Sequence, residues 1–403
     1  MQTIADLHLH SKYSRATSPQ MEPEMMSLWA KKKGIDILGT GDFTHPVYLK
    51  ELQEKLVEDG SGLLSLGSKK EDLRFMITGE ISCIYKHNDK TRRVHLCVNV
   101  PDFKTAEKIN KELEKRKCNI RSDGRPIIGL SARDLTELCL DANEKTTIIP
   151  AHIWTPWFAV FGSKSGYDSL QECFEDMTPY IHAVETGISS DPEMNWRLSQ
   201  LDNITLLSNS DAHSPANLGR EANVFNLKER TYSEIYEVIK NKDLKKFLYT
   251  IEFFPQEGKY YFDGHRACNF VCSPQESKEK YKNICPKCNR PLILGVNYRI
   301  DDLADRDLGF KPKKAVPFRS IVPLQEIISE VLGRGKKTKG VAAIYEEMIL
   351  KGKNEFNILL NLEREELKKL SNDKISEGIL RVREGKVSIS PGYDGEFGVV
   401  KVF

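Results

Sequence analysis

The sequence has no uninterrupted apolar run of about 18 residues, the length at which a segment becomes a candidate membrane-spanning helix. Its first residues also lack a basic stretch followed by an apolar one, so no secretory signal peptide is expected. Neither sign of charge is in excess, because 60 Lys and Arg stand against 58 Asp and Glu. These absences predict a cytoplasmic protein that does not bind membranes.

Cysteine is scarce and odd in number, with nine residues in a chain of 403. Five of the nine lie scattered through strand-like or helical segments: Cys83, Cys97, Cys118, Cys139 and Cys173. Such scattered cysteines do not form the regular framework of a disulfide-rich secreted domain. The pattern therefore predicts a reduced protein interior.

The composition that remains is that of a globular protein, 39% hydrophobic and 29% charged. Through residues 1–253, short apolar runs alternate with amphipathic stretches, which is typical of βαβ units. The predicted strands are 3–8, 35–40, 75–80, 94–99, 147–151, 181–185, 204–209 and 247–253. The predicted helices are 22–33, 46–57, 104–116, 131–141, 166–176, 193–201 and 232–241. This alternation predicts a parallel α/β barrel.

Two further domains are predicted after the barrel domain of residues 1–253. Residues 254–310 hold four cysteines and little helical periodicity. Residues 311–403 are helical in pattern and basic, with 18 Lys and Arg against 13 Asp and Glu. The predicted helices there are 323–331, 339–350, 354–360 and 363–383. The charge favours contact with a polyanion such as DNA, although a solvated helix face explains it equally well.

Two tripeptides at opposite ends of the barrel region carry most of the chemical information. In His8-Leu9-His10 and Asp211-Ala212-His213, residues i and i+2 of an extended segment point the same way. Each tripeptide therefore directs two metal-ligand side chains into one space. The complete set of candidate ligands, at or beside predicted strand ends, is His8, His10, Asp42, Glu80, His95, His152, Asp211 and His213.

A barrel collects the ends of its strands at one face, so these side chains are expected to meet there. A single histidine is more often a satisfied core or surface residue, but eight such positions together weaken that alternative. Mixed nitrogen and oxygen donors suit zinc, manganese or iron. We expect Zn²⁺ in the barrel, with Mg²⁺ or Mn²⁺ as the catalytic ion for phosphoester hydrolysis. Glu80, Asp211 and His213 are the predicted catalytic residues, with Glu80 bridging two metals.

The four remaining cysteines form two close pairs, Cys268-x3-Cys272 and Cys285-x2-Cys288. Two such pairs predict a tetrahedral, structural zinc site of the ribbon type. A redox pair and a chance arrangement are the alternatives. Such a module could face nucleic acid, or it could simply brace the barrel against the tail.

Substrate contacts are predicted from two kinds of residue near the candidate ligands. Residues 154–164 are unusually aromatic for a loop, and basic residues follow the first tripeptide. The candidates for substrate binding are Lys12, Arg15, Trp154, Trp157, Phe158 and Lys164. The alternatives are a hydrophobic lid packed on the barrel and ordinary solvated cations. Glu185, Asn209 and Ser210 are candidates for orienting ligands from behind.

The ligand motifs resemble the PHP (polymerase and histidinol phosphatase) superfamily. The matching segments are Asp6 to Ser11, Gly41-Asp42, Gly79-Glu80, His95, His152 and Asp211-Ala212-His213. The resemblance implies a distorted (β/α)7 barrel with a trinuclear metal site. The family has Asp-His at its second motif, whereas here Phe43 follows Asp42. We expect the nearby His45 to line the rim of the site.

The order of barrel, zinc ribbon and small helical domain resembles, nearly end to end, the endonuclease Q family. The most specific stretches are residues 38–42, 149–157, 185–192 and 208–215. The resemblance implies a DNA repair nuclease that cuts 5′ to deaminated bases (uracil, hypoxanthine, xanthine) or to abasic sites. The alternatives are a small-molecule phosphatase like histidinol phosphatase, and a regulatory protein with a degenerate barrel. No replication-clamp-binding peptide is evident at the C-terminus.

Overall fold

The computed structural model describes residues 1–67 and 73–403. Its strands are β1 (Gln2–Asp6), β2 (Ile37–Gly39), β3 (Leu56–Glu58), β4 (Leu64–Leu66), β5 (Arg74–His87), β6 (Lys90–Val100), β7 (Ile127–Ile128), β8 (Thr147–Pro150), β9 (Ala183–Glu185), β10 (Thr205–Leu207), β11 (Ala222–Asn226), β12 (Phe247–Glu252), β13 (Asp263–His265), β14 (Phe270–Cys272), β15 (Phe318–Ser320), β16 (Ser388–Ser390) and β17 (Val399–Lys401). Its α-helices are α1 (Pro23–Lys33), α2 (Pro46–Lys55), α3 (Phe103–Lys115), α4 (Ala132–Ala142), α5 (Leu170–Phe174), α6 (Pro192–Asn195), α7 (Tyr232–Asn241), α8 (Pro274–Glu279), α9 (Val296–Leu303), α10 (Leu324–Leu332), α11 (Lys339–Gly352), α12 (Arg364–Leu370) and α13 (Asp373–Arg383). The fold is therefore mixed α/β.

Strands β1, β2, β5, β6, β8, β9 and β10 follow one another around a common interior. β2 pairs in parallel with β1 and β5, and β10 pairs in parallel with β9. β8 meets β9 where the Ile153 amide donates to the Glu185 carbonyl at 3.2 Å. After β10, Ala212 forms a bridge with Leu9, which follows β1. That last contact brings the two predicted metal-ligand tripeptides side by side.

The ring differs from the predicted parallel barrel at β6, which pairs antiparallel with both β5 and β8. The cause is a tight turn between β5 and β6. Asn88 and Asp89 adopt φ of 51° and 58°, the left-handed conformation that two-residue hairpin turns require. A second departure is β11, which is antiparallel to β1 and leads to β12 and β15.

The helices begin at capping side chains that are visible in the sequence. Ser131 accepts a hydrogen bond from the Asp134 amide at the start of α4. Asp102 and Thr231 cap α3 and α7 in the same way. Each of these three helices buries one apolar side, so they cover the outer surface of the strands.

The last third of the chain folds back onto the barrel. β15 adds to the barrel sheet by pairing in parallel with β12. The β16–β17 hairpin returns to residues 256–259, where the Gly392 and Gly398 amides donate to the Gln256 and Glu257 carbonyls. The helix predicted over 363–383 is instead two helices, because the Asn372 side chain caps a new start at α13. Among the described residues, none of the helices is long and apolar enough to span a membrane.

Candidate metal centre

The candidate ligands lie on β5 and β6 and on segments that directly follow other strands. Asp42, His152 and Asp211 adopt positive φ values of 50°, 30° and 46°. Left-handed backbone is strained for residues other than glycine, and such strain clusters at functional sites. Each of the three bends the chain sharply just after a strand, and their side chains turn toward the ring's interior.

The first group of converging atoms belongs to His8, His10, Glu80 and Asp211, whose ligand atoms all lie within 4.8 Å of one another. His10 Nε2 is 3.2 Å from Glu80 Oε2 and 3.1 Å from Asp211 Oδ1. His8 Nε2 lies 3.6 Å from the same Glu80 oxygen and 3.7 Å from Asp211 Oδ1. Both predicted tripeptides thus contribute to one group.

The second group consists of Glu80, His95 and His152. Here the other carboxylate oxygen of Glu80 is used: Oε1 lies 2.6 Å from His95 Nδ1 and 3.1 Å from His152 Nε2. Glu80 is fully buried and faces one group with each of its oxygens. This is the arrangement expected of a carboxylate that bridges two cations.

The donor atoms fit divalent cations by a further criterion. His8 Nε2, His10 Nε2 and Asp211 Oδ1 are buried but make no hydrogen bond of acceptable geometry within the described part of the chain. Buried polar atoms are otherwise nearly always satisfied. The opposite ring nitrogens are occupied, since His8 Nδ1 lies 2.9 Å from Glu185 and His10 Nδ1 lies 3.1 Å from Asp42. Carboxylates behind imidazoles in this way direct the free nitrogen toward a metal.

Asp42 was predicted as a ligand, but the structure places it behind His10 and outside both groups. Its Oδ2 accepts hydrogen bonds from the Ser11 amide at 2.7 Å, the Ser11 hydroxyl at 2.6 Å and the Ser14 hydroxyl at 2.9 Å. Although burial raises the pKa of Asp42, the bonds from His10 and Ser11 lower it below its usual value. The carboxylate is therefore ionised and committed to orienting His10.

His213 and His45 also lie outside the two groups. The His213 ring stands 4.5 Å from the His10 ring, and its Nδ1 is 2.9 Å from the Asp211 carbonyl oxygen. His45 caps α2 by accepting from the Tyr48 amide and stacks on Tyr13. His213 therefore borders the centre, whereas His45 belongs to the packing of α2.

The residues predicted to orient ligands lie directly behind the centre. Asn209 donates to Glu185 Oε1 at 2.8 Å and accepts from the Leu7 amide at 2.9 Å. Arg220, which the sequence motifs did not single out, donates to the Ser210 carbonyl at 2.7 Å. These contacts hold both tripeptide segments in place.

A cavity of about 470 Å³ opens beside the centre. His152, Asp211 and His213 form its inner wall. The outer wall comes from other parts of the chain: Asn217, Arg220, Gly258, Lys259, Tyr260 and Phe397. The cavity is thus completed by the segment after the barrel and by the C-terminal hairpin.

The predicted aromatic contacts divide into two kinds. Trp157 and Phe158 line a second cavity next to His95 and His152, and the Trp157 ring meets Tyr260 edge-on at 5.9 Å. Trp154 does not face either cavity. It is 1% exposed, and its indole donates to Asn195 at 2.8 Å. The structure therefore places Trp154 in the core, away from the cavities where a substrate contact was predicted.

The basic residues that were predicted to bind substrate lie away from the two ligand groups. Lys12 donates to Glu22 at 3.2 Å and to Glu51 at 2.9 Å, so its charge is already paired. Arg15 is 84% exposed and lies 3.3 Å from Asp123. Lys164 is exposed. Arg125, which was not predicted, lies inside the centre, with Nη1 3.1 Å from Glu80 Oε2.

The cysteine module contains a histidine that the sequence interpretation missed. His265, Cys268, Cys285 and Cys288 place their ligand atoms within 4.8 Å of one another. Cys272 is not in this group, because the β13–β14 register sets it opposite Asp263, away from the turn that carries His265 and Cys268. It is buried with Cys285 and Leu292 instead. The spacing His265-x2-Cys268 was the available signal.

The chain is similar to known proteins in both its sequence and its fold. Residues 323–386 match the profile of the MJ0043 C-terminal domain family. MJ0043 of Methanocaldococcus jannaschii is 34% identical over 61% of this chain, and the match spans only 31% of that protein's length. YqxK of Bacillus subtilis is 28% identical over 98% of both chains.

Two solved structures resemble the whole chain. The lesion-specific endonuclease PfuEndoQ of Pyrococcus furiosus is 30% identical, with a TM-score of 0.88 over 100% of this chain and 95% of that one. An endonuclease Q complexed with a 27-mer duplex that has an abasic lesion at the active site is 31% identical, also with a TM-score of 0.88. The match covers 100% of this chain and 96% of that one.

Proposed function

This chain belongs to the endonuclease Q family, and on that premise we propose that it is a metal-dependent DNA repair endonuclease. The predicted resemblance to the endonuclease Q family is thereby confirmed. The proposed reaction is hydrolysis of the phosphodiester 5′ to uracil, hypoxanthine, xanthine or an abasic site. Support for an abasic substrate comes from the related endonuclease Q complex, whose duplex has such a lesion at the active site.

The observation that carries the proposal is the position of Glu80 between two groups of imidazoles. One of its oxygens faces His8 and His10, and the other faces His95 and His152. Bound divalent ions at such a centre would acidify a water molecule and polarise the scissile phosphoryl group. We assign Zn²⁺ to the histidine-rich groups and Mg²⁺ or Mn²⁺ to catalysis, since mixed nitrogen and oxygen donors accept all three.

The protein groups have distinct roles in this reaction. Glu80 and Asp211 supply the negative charge that holds the cations. Asp42 and Glu185 fix the imidazoles of His10 and His8. His213 borders the cavity with its Nδ1–H donating to the Asp211 carbonyl, and burial lowers the pKa of His213, so its other nitrogen is free to accept a proton from the attacking water. The products are a 3′-hydroxyl and a 5′-phosphate on the lesion side.

Lesion recognition is proposed to use the two cavities beside the centre. A base inside a duplex must be extruded before it can be inspected, at a cost of a few kcal/mol that is lower for mispaired nucleotides. Trp157 and Tyr260 offer aromatic surfaces on which an extruded base can stack. Phe397 lies at the wall of the cavity that His152, Asp211 and His213 border, and it is 63% exposed, so it is available to a DNA strand.

The remaining domains are proposed to position the DNA. In residues 254–310, the three cysteines together with His265 would hold a structural zinc, a donor set that closes a tetrahedral site. In residues 311–403, the basic balance complements the phosphate backbone. Lys336 and Lys337 line a cavity that shares Asn217, Arg220 and Phe397 with the one at the metal centre.

An incision assay separates this function from a small-molecule phosphatase. The protein would be incubated with Mg²⁺ or Mn²⁺ and an end-labelled duplex that contains one uracil, one abasic site or no lesion. Cutting confined to the lesion duplexes supports the proposal. Rapid hydrolysis of histidinol phosphate without any incision of the lesion duplexes would overturn it.

A further inference from the structure

Arg125 is placed at the metal centre by a loop that is fixed on both sides. The Gly124 amide donates to the Tyr13 carbonyl, and the Ser82 amide donates to the Pro126 carbonyl. Asp123 Oδ1 accepts the Arg125 amide at 3.1 Å. These bonds hold the loop against the barrel immediately before and after Arg125.

Gly124 explains how the loop comes so close to the ligands. A Cβ atom at this position would collide with the Asp42 carboxylate and the Ser14 hydroxyl. Only glycine lets the backbone approach the centre at this distance. The backbone next to Arg125 is therefore packed against Asp42, the residue that orients His10.

The guanidinium contacts the oxygen of Glu80 that belongs to the His8, His10 and Asp211 group. Arg125 Nη1 lies 3.1 Å from Glu80 Oε2, and the side chain is 30% exposed. An arginine guanidinium stays protonated in proteins, so the positive charge of Arg125 is permanent.

Charge balance indicates what this cation is for. Glu80, Asp211, Asp42 and Glu185 bring four carboxylates to the centre, and two divalent cations would balance that charge. The guanidinium of Arg125 adds one further positive charge beside them. An anionic substrate group would offset this charge, and a planar guanidinium suits two oxygens of one phosphate.

Resting on the proposed function of this site, we propose that Arg125 binds the scissile phosphate and stabilises the charge that develops on it during hydrolysis. Lys12 is neutralised by Glu22 and Glu51, and Arg15 lies on the surface beside Asp123. Among the predicted basic contacts and Arg125, only Arg125 touches a residue that bridges the two ligand groups. Arg125 is therefore a catalytic residue, and its contact with Glu80 is the resting arrangement.

The test compares Arg125→Met, which removes the charge, with Arg125→Lys, which keeps charge but not the planar fork. Arg121→Met is the matched control, because Arg121 lies on the same loop but pairs with Glu114 and is 65% exposed. Loss of a group that stabilises transition-state charge lowers kcat by about 10²- to 10³-fold. We expect that loss in Arg125→Met, a smaller one in Arg125→Lys and none in the control.

Two readouts other than activity distinguish phosphate binding from support of Glu80. Calorimetric titration with Mn²⁺ should give the same stoichiometry for Arg125→Met as for the unsubstituted protein. With Ca²⁺ in place of the catalytic ion, Arg125→Met should weaken binding of an abasic duplex by about tenfold or more. That difference should disappear when the scissile phosphate is replaced by an uncharged methylphosphonate.

Several outcomes would overturn the role of Arg125. These are cleavage by Arg125→Met within about twofold of the unsubstituted rate, loss of Mn²⁺ binding in parallel with activity, or an unchanged binding defect on the methylphosphonate duplex. In each case the unsubstituted protein still cuts lesion DNA, so the proposed function stands. Failure of the unsubstituted protein to cut any lesion duplex would instead remove the proposed function.

Discussion

His265 changes the interpretation of the cysteine module, because one residue replaces another in the donor set. The β13–β14 hairpin brings His265 to the same end as Cys268, and Cys288 Sγ lies 3.5 Å from His265 Nδ1. Cys272 stands two pairs further along the hairpin and is buried. Sequence spacing alone favoured Cys272, because a pair of close cysteines resembles half of a ribbon site.

We therefore predict that His265→Ala loses the structural zinc, while Cys272→Ser retains it. Removing one of four ligands from a closed tetrahedral site lowers its metal affinity severely. Metal content after dialysis, measured by mass spectrometry, checks this expectation. Zinc retained by His265→Ala and lost from Cys272→Ser would restore the four-cysteine assignment.

Two tryptophans three positions apart are predicted to respond oppositely to truncation. Trp154 is fully buried against Phe161 and Asn195, so Trp154→Ala should lower the free energy of unfolding by about 3–5 kcal/mol. Trp157 is half-buried at the cavity, so Trp157→Ala should weaken lesion-duplex binding by about 1–3 kcal/mol instead.

Denaturant unfolding and fluorescence anisotropy separate these two effects. If Trp154→Ala had normal stability but bound lesion DNA poorly, Trp154 would contact the substrate, as the sequence predicted. The aromatic run alone could not distinguish the two residues, because both follow the same ligand strand.

Strands and helices were largely predictable from periodicity, and the exceptions have physical causes. The helix at 232–241 and the strand at 147–150 lie close to their predicted bounds. The antiparallel direction of β6 was not predicted, because the hydrophobic pattern of a strand is the same for both directions of the chain. The break at Asn372 was missed, because the amphipathic pattern continues across it while the capping side chain starts a new helix.

Strand β12 is tied to the ring by a buried acid whose protonation affects stability. Burial raises the pKa of Glu252 to about 8, and hydrogen bonds from Thr250 and Ser208 oppose that rise only in part. The folded protein thus keeps a proton that the unfolded chain, with a glutamate pKa near 4.5, releases. This stabilisation is complete below the unfolded pKa and is lost as pH rises through the folded pKa.

Glu252→Gln, which mimics the protonated acid, is therefore predicted to flatten the pH dependence. The melting temperature of the unsubstituted protein should fall between about pH 5 and pH 9 more steeply than that of the variant. Glu144→Gln, at an exposed position, serves as the control. Parallel melting curves for Glu252→Gln and the unsubstituted protein would contradict a buried protonated Glu252.

At the scale of the whole molecule, the cavity beside the candidate metal centre is assembled from all three parts of the chain. The ring of strands supplies the candidate metal ligands, residues 258–260 supply one wall, and Phe397 of the C-terminal hairpin supplies another. A neighbouring cavity of about 490 Å³ continues toward Lys336 and Lys337. Sequence could predict each part but not this convergence, which depends on how the tail folds back.

Lys337→Ala is predicted to weaken DNA binding without affecting lesion discrimination, because a phosphate contact carries no base information. The slope of log Kd against log salt should decrease by about one unit if one phosphate contact is lost. Lys353→Ala is the control, since Lys353 lines a different cavity between α1 and α11. If Lys337→Ala left the slope of log Kd against log salt unchanged, this surface would not contact the DNA backbone.

The most direct test of the account is to map the incision site on a duplex with a single uracil. The unsubstituted protein and Glu54→Gln, altered at an exposed position of α2, are compared with Glu80→Gln. We predict that the first two cut immediately 5′ to the uracil and leave a 3′-hydroxyl. Glu80→Gln, which loses the bridging charge, should be slower by about 10³-fold or more. Undiminished incision by Glu80→Gln, or cutting unrelated to the uracil, would contradict the account.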